Sequence, residues 1–111
     1  MEIKNAMAGF GALSQETRLQ AVRLLVQAGP EGLAAGDLAQ AMTIAPSTLS
    51  FHLKDLQRAG LVQAERRGRQ IRYRADYVGL RGLLDFLMED CCQGNAAICG
   101  PMRSRLNQQP C

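Results

Sequence analysis

The sequence predicts a mainly α-helical domain with one small β-hairpin, and three observations support this fold class. Apolar residues recur at helical spacing, for example at Leu49, Leu53 and Leu56. A short predicted helix, a tight connection and a longer predicted helix follow one another over residues 35–60. The segment after Gly60 alternates apolar and polar residues on both sides of a glycine, as hairpins do. In this order the elements form a winged helix-turn-helix.

Length and composition indicate one small domain. The chain has 111 residues, of which 47% are hydrophobic and 21% charged, and a chain of this size is too short to bury a large core alone. We therefore expect a partner chain to complete the core. The opening stretch "MEIKNAMAGF" carries an acid and no continuous apolar run, so it does not resemble a signal peptide. Because no stretch approaches the ~20 apolar residues that span a bilayer, we expect a cytoplasmic protein with reduced thiols and no membrane partner.

The first half of the chain predicts three helices. Residues 8–14 are expected to contribute a helix to an interface with a second copy of the chain. Ser14 is a suitable N-cap for the next helix, which Gly29 and Pro30 end. The stretch "AGDLAQAM" predicts a short amphipathic helix, and "TIA" predicts a tight connection after it.

The second half predicts a longer helix, a hairpin and a last helix. Pro46 suits the first position of a helix that Gly60 ends. The stretch "LVQAERRGRQIRYRA" predicts two short strands around Gly68. The stretch "YVGLRGLLDFLMEDCC" returns to helical spacing, and its leucine stripe is expected to form the main dimer interface.

Charge is unevenly distributed along the chain, although the net charge is only +3. Lysines and arginines are concentrated between Lys54 and Arg74, where the only acids are Asp55 and Glu65. From Asp76 to Cys99 the balance reverses, with four acids against one arginine, Arg81. The basic segment therefore favours contact with a polyanion such as nucleic acid.

In a winged helix-turn-helix, the second helix of the motif lies in the major groove and the hairpin reaches the backbone or minor groove. The candidate DNA contacts in that helix and hairpin are Ser47, Thr48, Ser50, Phe51, His52, Lys54, Arg66, Arg67, Arg69 and Arg72. Hydroxyl groups can bond base edges or phosphates, and arginines neutralise phosphates. Plain structural roles compete: Ser47 as a helix start, Phe51 as a packing residue, and the arginines as a solvated hairpin. His52 has the same alternative, as a core or surface side chain.

Three stretches, "FGALSQETRL", "STLSFHLKDLQRAGLV" and "RRGRQIRYR", closely resemble the ArsR/SmtB family of bacterial metal-responsive repressors. The resemblance covers about residues 8–90, and the run from Ser50 to Val62 is specific. It implies a homodimer that binds double-stranded operator DNA and is released when a metal or metalloid binds. Because a dimer places two reading helices about one DNA turn apart, the operator is expected to be an imperfect inverted repeat. The chain departs from the family pattern at Ala45, where a capping serine is common.

The resemblance also limits where an inducer can bind. One family site is a "C-x-C-D-L" pair before the reading helix, and this chain has Ala34 and Gly36 at the matching positions. A second family site uses carboxylates and histidines on the last helix, where this chain has no histidine. The thiols of Cys91, Cys92 and Cys99 remain as candidate ligands.

Three thiolates without imidazole favour a soft, thiophilic centre. Structural zinc almost always takes four ligands, whereas trivalent arsenic and antimony take three thiolates in a pyramid. The expected inducer is therefore As(III), with Sb(III) or methylarsenite as alternatives, as in the arsenic-responsive branch of the family. Cys91 and Cys92 point about 100° apart on a regular helix, so both reach one atom only if the helix ends there, which Gly94 favours.

Other roles for these cysteines stay open. Cys91 and Cys92 could be small buried residues on a dimer helix, a redox switch, or part of a zinc, cadmium or lead site. The fourth ligand of such a site would be Cys111, Glu89 or Asp90. A DNA-binding protein without any inducer is a further alternative. A thiol enzyme is disfavoured, because acids and a helix C-terminus both destabilise the thiolate that such an enzyme needs.

The sequence thus predicts two segments. Residues 1–90 are expected to form a winged helix-turn-helix domain for DNA binding and dimerisation. Residues 91–111 are expected to form an inducer segment with cysteines and a flexible tail. No metal is expected to be needed for folding, and no enzymatic activity is expected.

Overall fold

The structure, a computed structural model, describes residues 1–89. The described residues form the predicted winged helix-turn-helix. In chain order the elements are α1 (Ile3–Leu13), α2 (Glu16–Ala28), β1 (Leu33–Ala34), α3 (Ala35–Met42), α4 (Pro46–Arg58), β2 (Val62–Arg67), β3 (Gln70–Ala75) and α5 (Tyr77–Met88). In this part of the chain, no helix has the length and apolarity needed to cross a membrane.

The core lies where α2, α3 and α4 pack against one another. Leu25 of α2 and Leu38 of α3 are fully buried. The predicted stripe of α4 is confirmed, since Leu49, Leu53 and Leu56 are all 1% exposed or less. Burying each leucine contributes roughly 1.5–3 kcal/mol, so this stripe determines which face of α4 remains on the surface.

The three strands form one antiparallel sheet in the order β1-β3-β2. The β2–β3 hairpin, Val62–Ala75, is called the wing below. It turns around Gly68, whose φ of +62° favours glycine. Only its base is buried, through Val62, Tyr73 and Ala75, so the rest of the wing projects from the core. Strand β1 was not predicted from the sequence.

Several predicted boundaries are wrong. Ser14 is the C-cap of α1, where its N–H bonds to the carbonyl of Gly11. The N-cap of α2 is Gln15, whose side chain accepts a hydrogen bond from the Arg18 N–H at 2.8 Å. Helix α1 begins at Ile3, five residues before the expected start at residue 8. Helix α5 ends at Met88, because Glu89 adopts an extended conformation with ψ of 127°.

Candidate nucleic-acid interface

Helix α4 presents the predicted small polar residues on its outer face. Ser47, Thr48 and Ser50 are exposed, because the leucine stripe holds the opposite face in the core. Phe51 is 64% exposed and is therefore not a core residue. Lys54 is also exposed. Helix α4 begins as expected, with Pro46 at its first turn and Ala45 as an N-cap that makes no side-chain hydrogen bond.

His52 lies in a different environment from these residues. Its ring is half-buried, and its Nδ1 atom accepts a hydrogen bond from Arg18 Nε on α2 at 3.2 Å. The same guanidinium donates through Nη2 to Asp55 Oδ2. Asp55 Oδ1 in turn lies 3.5 Å from Arg58 Nη1. Arg18 of α2 thus contacts both His52 and Asp55 of α4, an arrangement that was not predicted from the sequence.

The wing arginines differ in what they contact. Within residues 1–89, Arg66 and Arg69 make no ion pair or side-chain hydrogen bond and are exposed. The Arg72 side chain uses two of its donors within the domain. Its Nε donates to the carbonyl of Glu31 at 2.7 Å, and its Nη2 donates to the carbonyl of Gly32 at 3.3 Å. Of the predicted wing contacts, Arg66 and Arg69 are therefore the most available to a phosphate.

Glu65 forms two ion pairs within the wing that were not predicted from the sequence. Its carboxylate lies 3.1 Å from Arg67 Nε and 3.0 Å from Arg74 Nη1. Arg67, by its hydrogen bond and charge, holds the pKa of the Glu65 carboxyl below its ordinary value, and Arg74 adds to the effect. Because the folded pKa is the lower one, this stabilisation is present above the unfolded pKa and is lost as pH falls through the folded value. Near neutral pH, the ionised Glu65 carboxylate therefore offsets part of the positive charge of Arg67 and Arg74 in the wing.

The predicted inducer ligands Cys91, Cys92 and Cys99 lie outside the described residues. Within residues 1–89, no group of three or more histidine, cysteine, aspartate or glutamate side chains could hold a metal ion. Ala34 and Gly36 lie at the start of α3, and α5 contains no histidine.

Sequence relatives of the chain are transcriptional regulators. A family model described as a helix-turn-helix domain matches residues 13–63. The uncharacterized HTH-type transcriptional regulator YceK of Bacillus subtilis (strain 168) is 38% identical over 72 residues, which cover 65% of this chain and 66%, just under two thirds, of that protein. YbzH, another such regulator of that organism, is 32% identical over 90 residues, covering 70% of this chain and 90% of YbzH. The transcriptional activator HlyU of Vibrio cholerae is 29% identical over 84 residues, covering 76% of this chain and 75% of HlyU.

Solved structures of the same type share the fold. An ArsR-like transcriptional regulator from Rhodococcus sp. RHA1 superposes with a TM-score of 0.70 at 26% identity, covering 96% of this chain and 97% of that one. The homodimeric winged helix-turn-helix DNA-binding domain of Mb0332 from Mycobacterium bovis, a possible ArsR-family regulator, gives a TM-score of 0.64 at 28% identity. That match covers 82% of this chain and 84% of the other. The chain therefore belongs to the helix-turn-helix transcriptional regulators, and its fold is similar to that of ArsR-like regulators.

Proposed function

We propose that the chain is a transcriptional repressor that binds operator DNA as a homodimer and is released by As(III) bound to Cys91, Cys92 and Cys99. The observation that carries the DNA-binding part is the outer face of α4, which exposes the hydroxyl groups of Ser47, Thr48 and Ser50. It is joined by Arg66 and Arg69 of the wing, which pair with no acid within residues 1–89. The arsenic part is supported by the donor set of three thiols. It is also supported by the lack of an alternative metal-ligand cluster within residues 1–89.

Dimerisation is supported by apolar surface that one chain leaves uncovered. An apolar cleft of about 330 Å³ lies between α2 and α5, with Val22, Val26, Leu80 and Leu84 among its lining residues. On α1, Ile3 and Met7 are 68% and 69% exposed. Apolar surface of this kind commonly marks a protein interface, and Mb0332, which has the same fold, is homodimeric. We infer that a second copy covers this surface and places two α4 helices on an imperfect inverted repeat.

Leu84→Glu should separate the dimer, because it places a charge in the apolar cleft. We expect a monomer in sedimentation at micromolar concentration, and operator affinity lower by roughly 100-fold or more, since the second half-site no longer benefits from linkage. Val78→Glu is the matched control, because Val78 lies on the same helix, is 84% exposed and does not line the cleft. A Leu84→Glu protein that sediments as a dimer would place the interface elsewhere.

Substitutions in the wing and in α4 should affect DNA binding differently. Arg69→Ala should weaken binding to all sequences alike and reduce the salt slope by about 0.9, the loss of one phosphate contact. Glu65→Gln should act in the opposite direction by releasing Arg67 and Arg74. Ser50→Ala should lose discrimination at particular base pairs. Titrations of operator and random DNA at several salt concentrations measure the effects of all three substitutions. If Arg69→Ala changed the sequence preference and Ser50→Ala did not, the roles assigned to the wing and to α4 would be reversed.

The proposed function is tested by titrating a complex of the protein and its operator with arsenite, antimonite, cadmium, lead and zinc. We expect release by arsenite, with antimonite as the next most effective ion. A reporter gene behind the operator determines the sign of regulation, because the similar protein HlyU is named as an activator. Repression that ends on addition of arsenite supports the proposal. Expression that requires the protein would instead favour an activator.

A further inference from the structure

The single histidine of the chain is joined to a second helix through one ring nitrogen. The guanidinium of Arg18, on α2, donates from Nε to His52 Nδ1 and from Nη2 to Asp55, both on α4. The Arg18 side chain is only 19% exposed. Arg18 therefore contacts two positions of the helix that carries the candidate base contacts.

These contacts determine where the imidazole proton lies. An arginine guanidinium donates hydrogen bonds and accepts none, because it keeps its proton in proteins. The ring nitrogen that receives its bond must carry a lone pair, so neutral His52 holds its proton on Nε2. A ring turned by 180° would place a carbon atom against Arg18 Nε and lose the bond.

The groups around the ring do not favour the opposite tautomer. Asp55 is the acid nearest to His52 along α4, and its two oxygens face Arg18 and Arg58 rather than the ring. Phe51 meets the imidazole edge-on, with ring centroids 5.6 Å apart at 74°. Within residues 1–89, Nε2 makes no hydrogen bond, so its N–H remains available on the ring edge away from Arg18.

We propose that Arg18 is a positioning residue for DNA recognition, which fixes His52 as the Nε2–H tautomer. Helix α4 then offers a single N–H donor at this position, and its partner is an acceptor on the DNA, either a phosphate oxygen or a purine N7. Arg18 acts through His52 and does not itself touch the DNA. The inference rests on DNA binding through α4 and is independent of the inducer.

Nitrogen NMR measures the tautomer directly. In protein without a histidine tag, the two imidazole nitrogens of His52 are the only ones present, so their signals need no assignment among several histidines. At about pH 8, where an ordinary imidazole is neutral, we expect Nδ1 at the shift of an unprotonated nitrogen and Nε2 at that of a protonated one. Arg18→Met should move both signals toward the values of a tautomer mixture. Arg23→Met, on the same helix, should leave them unchanged.

Operator binding tests whether the tautomer matters. Arg18→Met and His52→Ala should each weaken binding by about 5- to 10-fold, and the double variant should be no weaker than His52→Ala. His52→Gln keeps an N–H near the Nε2 position, so it should retain most of the affinity and no longer respond to Arg18→Met. Operators with 7-deazapurines or with methylphosphonates distinguish the two acceptors. The operator modification that abolishes the difference in affinity between wild type and His52→Ala identifies the contacted acceptor.

A wild-type spectrum with the proton on Nδ1 would overturn the proposal, even if Arg18→Met does not fold. So would an Arg18→Met spectrum identical to the wild type, or additive losses in the double variant. If His52→Ala alone binds DNA like the wild type, the role of His52 and Arg18 in DNA recognition is refuted. If Ser50→Ala and Lys54→Ala also bind like the wild type, the proposed role of α4 fails with it, and only the tautomer assignment stands.

Discussion

Replacing Gly79 with alanine should lower the free energy of unfolding by roughly 3 kcal/mol, at the upper end of the cost of overpacking. Gly79 lies in the first turn of α5, and a Cβ atom added to it would lie 1.8 Å from the carbonyl oxygen of Gly60. The obstructing atom belongs to the backbone, so no side-chain rotation can relieve the overlap. Helix α5 would have to move away from the end of α4.

Such a movement would also disturb the start of α5. The Gly79 N–H donates to Asp76 Oδ1 at 3.0 Å, which is the N-cap bond of this helix. Losing a cap costs about 1 kcal/mol, so the two effects act in the same direction. We expect the thermal midpoint to fall by more than about 10 °C.

Gly36→Ala provides the matched control. Gly36 also lies in a helix, but a Cβ atom there would have no neighbour within 4 Å. Alanine should therefore stabilise α3 by about 0.5–1 kcal/mol through its better helix propensity. Calorimetry of both variants measures the contrast. If Gly79→Ala melts at the wild-type temperature, α5 does not approach Gly60 as closely as the structure indicates.

The elements that the sequence predicted well are those with local signals. Helix α3 coincides with the stretch "AGDLAQAM", and α4 begins at Pro46, because apolar spacing, proline and glycine act within a few residues. Strand β1 was missed because its two residues carry no alternation and are a strand only through pairing with Tyr73 and Arg72. The end of α5 was placed too late, because apolar spacing continues through Met88 without a stop signal at Glu89.

In the candidate site, too, the features that depend on local sequence were predictable, whereas those that depend on contacts between distant residues were not. Exposure of Ser47 and Ser50 follows from the periodicity of the leucines, so the sequence was sufficient to predict it. The pairing of Glu65 with Arg74 depends on strand register, since Glu65 lies opposite Arg72 and meets Arg74 diagonally. The contact between Arg18 and His52 joins positions 34 residues apart and depends on how α2 crosses α4. No local pattern contains that information.

The triple substitution of Cys91, Cys92 and Cys99 by serine should abolish arsenite release while preserving operator binding. In the wild-type protein we expect arsenite to weaken operator binding roughly 5- to 150-fold, which corresponds to a coupling of ~1–3 kcal/mol. This requires arsenite to bind the DNA-free form more tightly than the DNA-bound form. Each single serine substitution should blunt the response, because a pyramidal As(III) centre uses all three thiolates. Anisotropy titrations of labelled operator with increasing arsenite measure both affinity and release.

The serine variants should fold because residues 1–89 form a hydrophobic core that does not include these cysteines. Within that part of the chain, the buried residues lie between Ala6 and Leu83, and α5 ends at Met88, three residues before Cys91. A metal-free protein should therefore bind DNA, unlike a domain that folds only around zinc. We expect three thiolates gathered on one atom to redirect the chain that follows α5 and so to change how the two α4 helices are spaced.

Cys111→Ser removes a thiol outside the proposed site and should leave arsenite release unchanged. If the triple serine variant leaves its operator at the wild-type arsenite concentration, these cysteines are not the inducer site. If the wild-type protein binds DNA only after metal is added, the metal has a structural role.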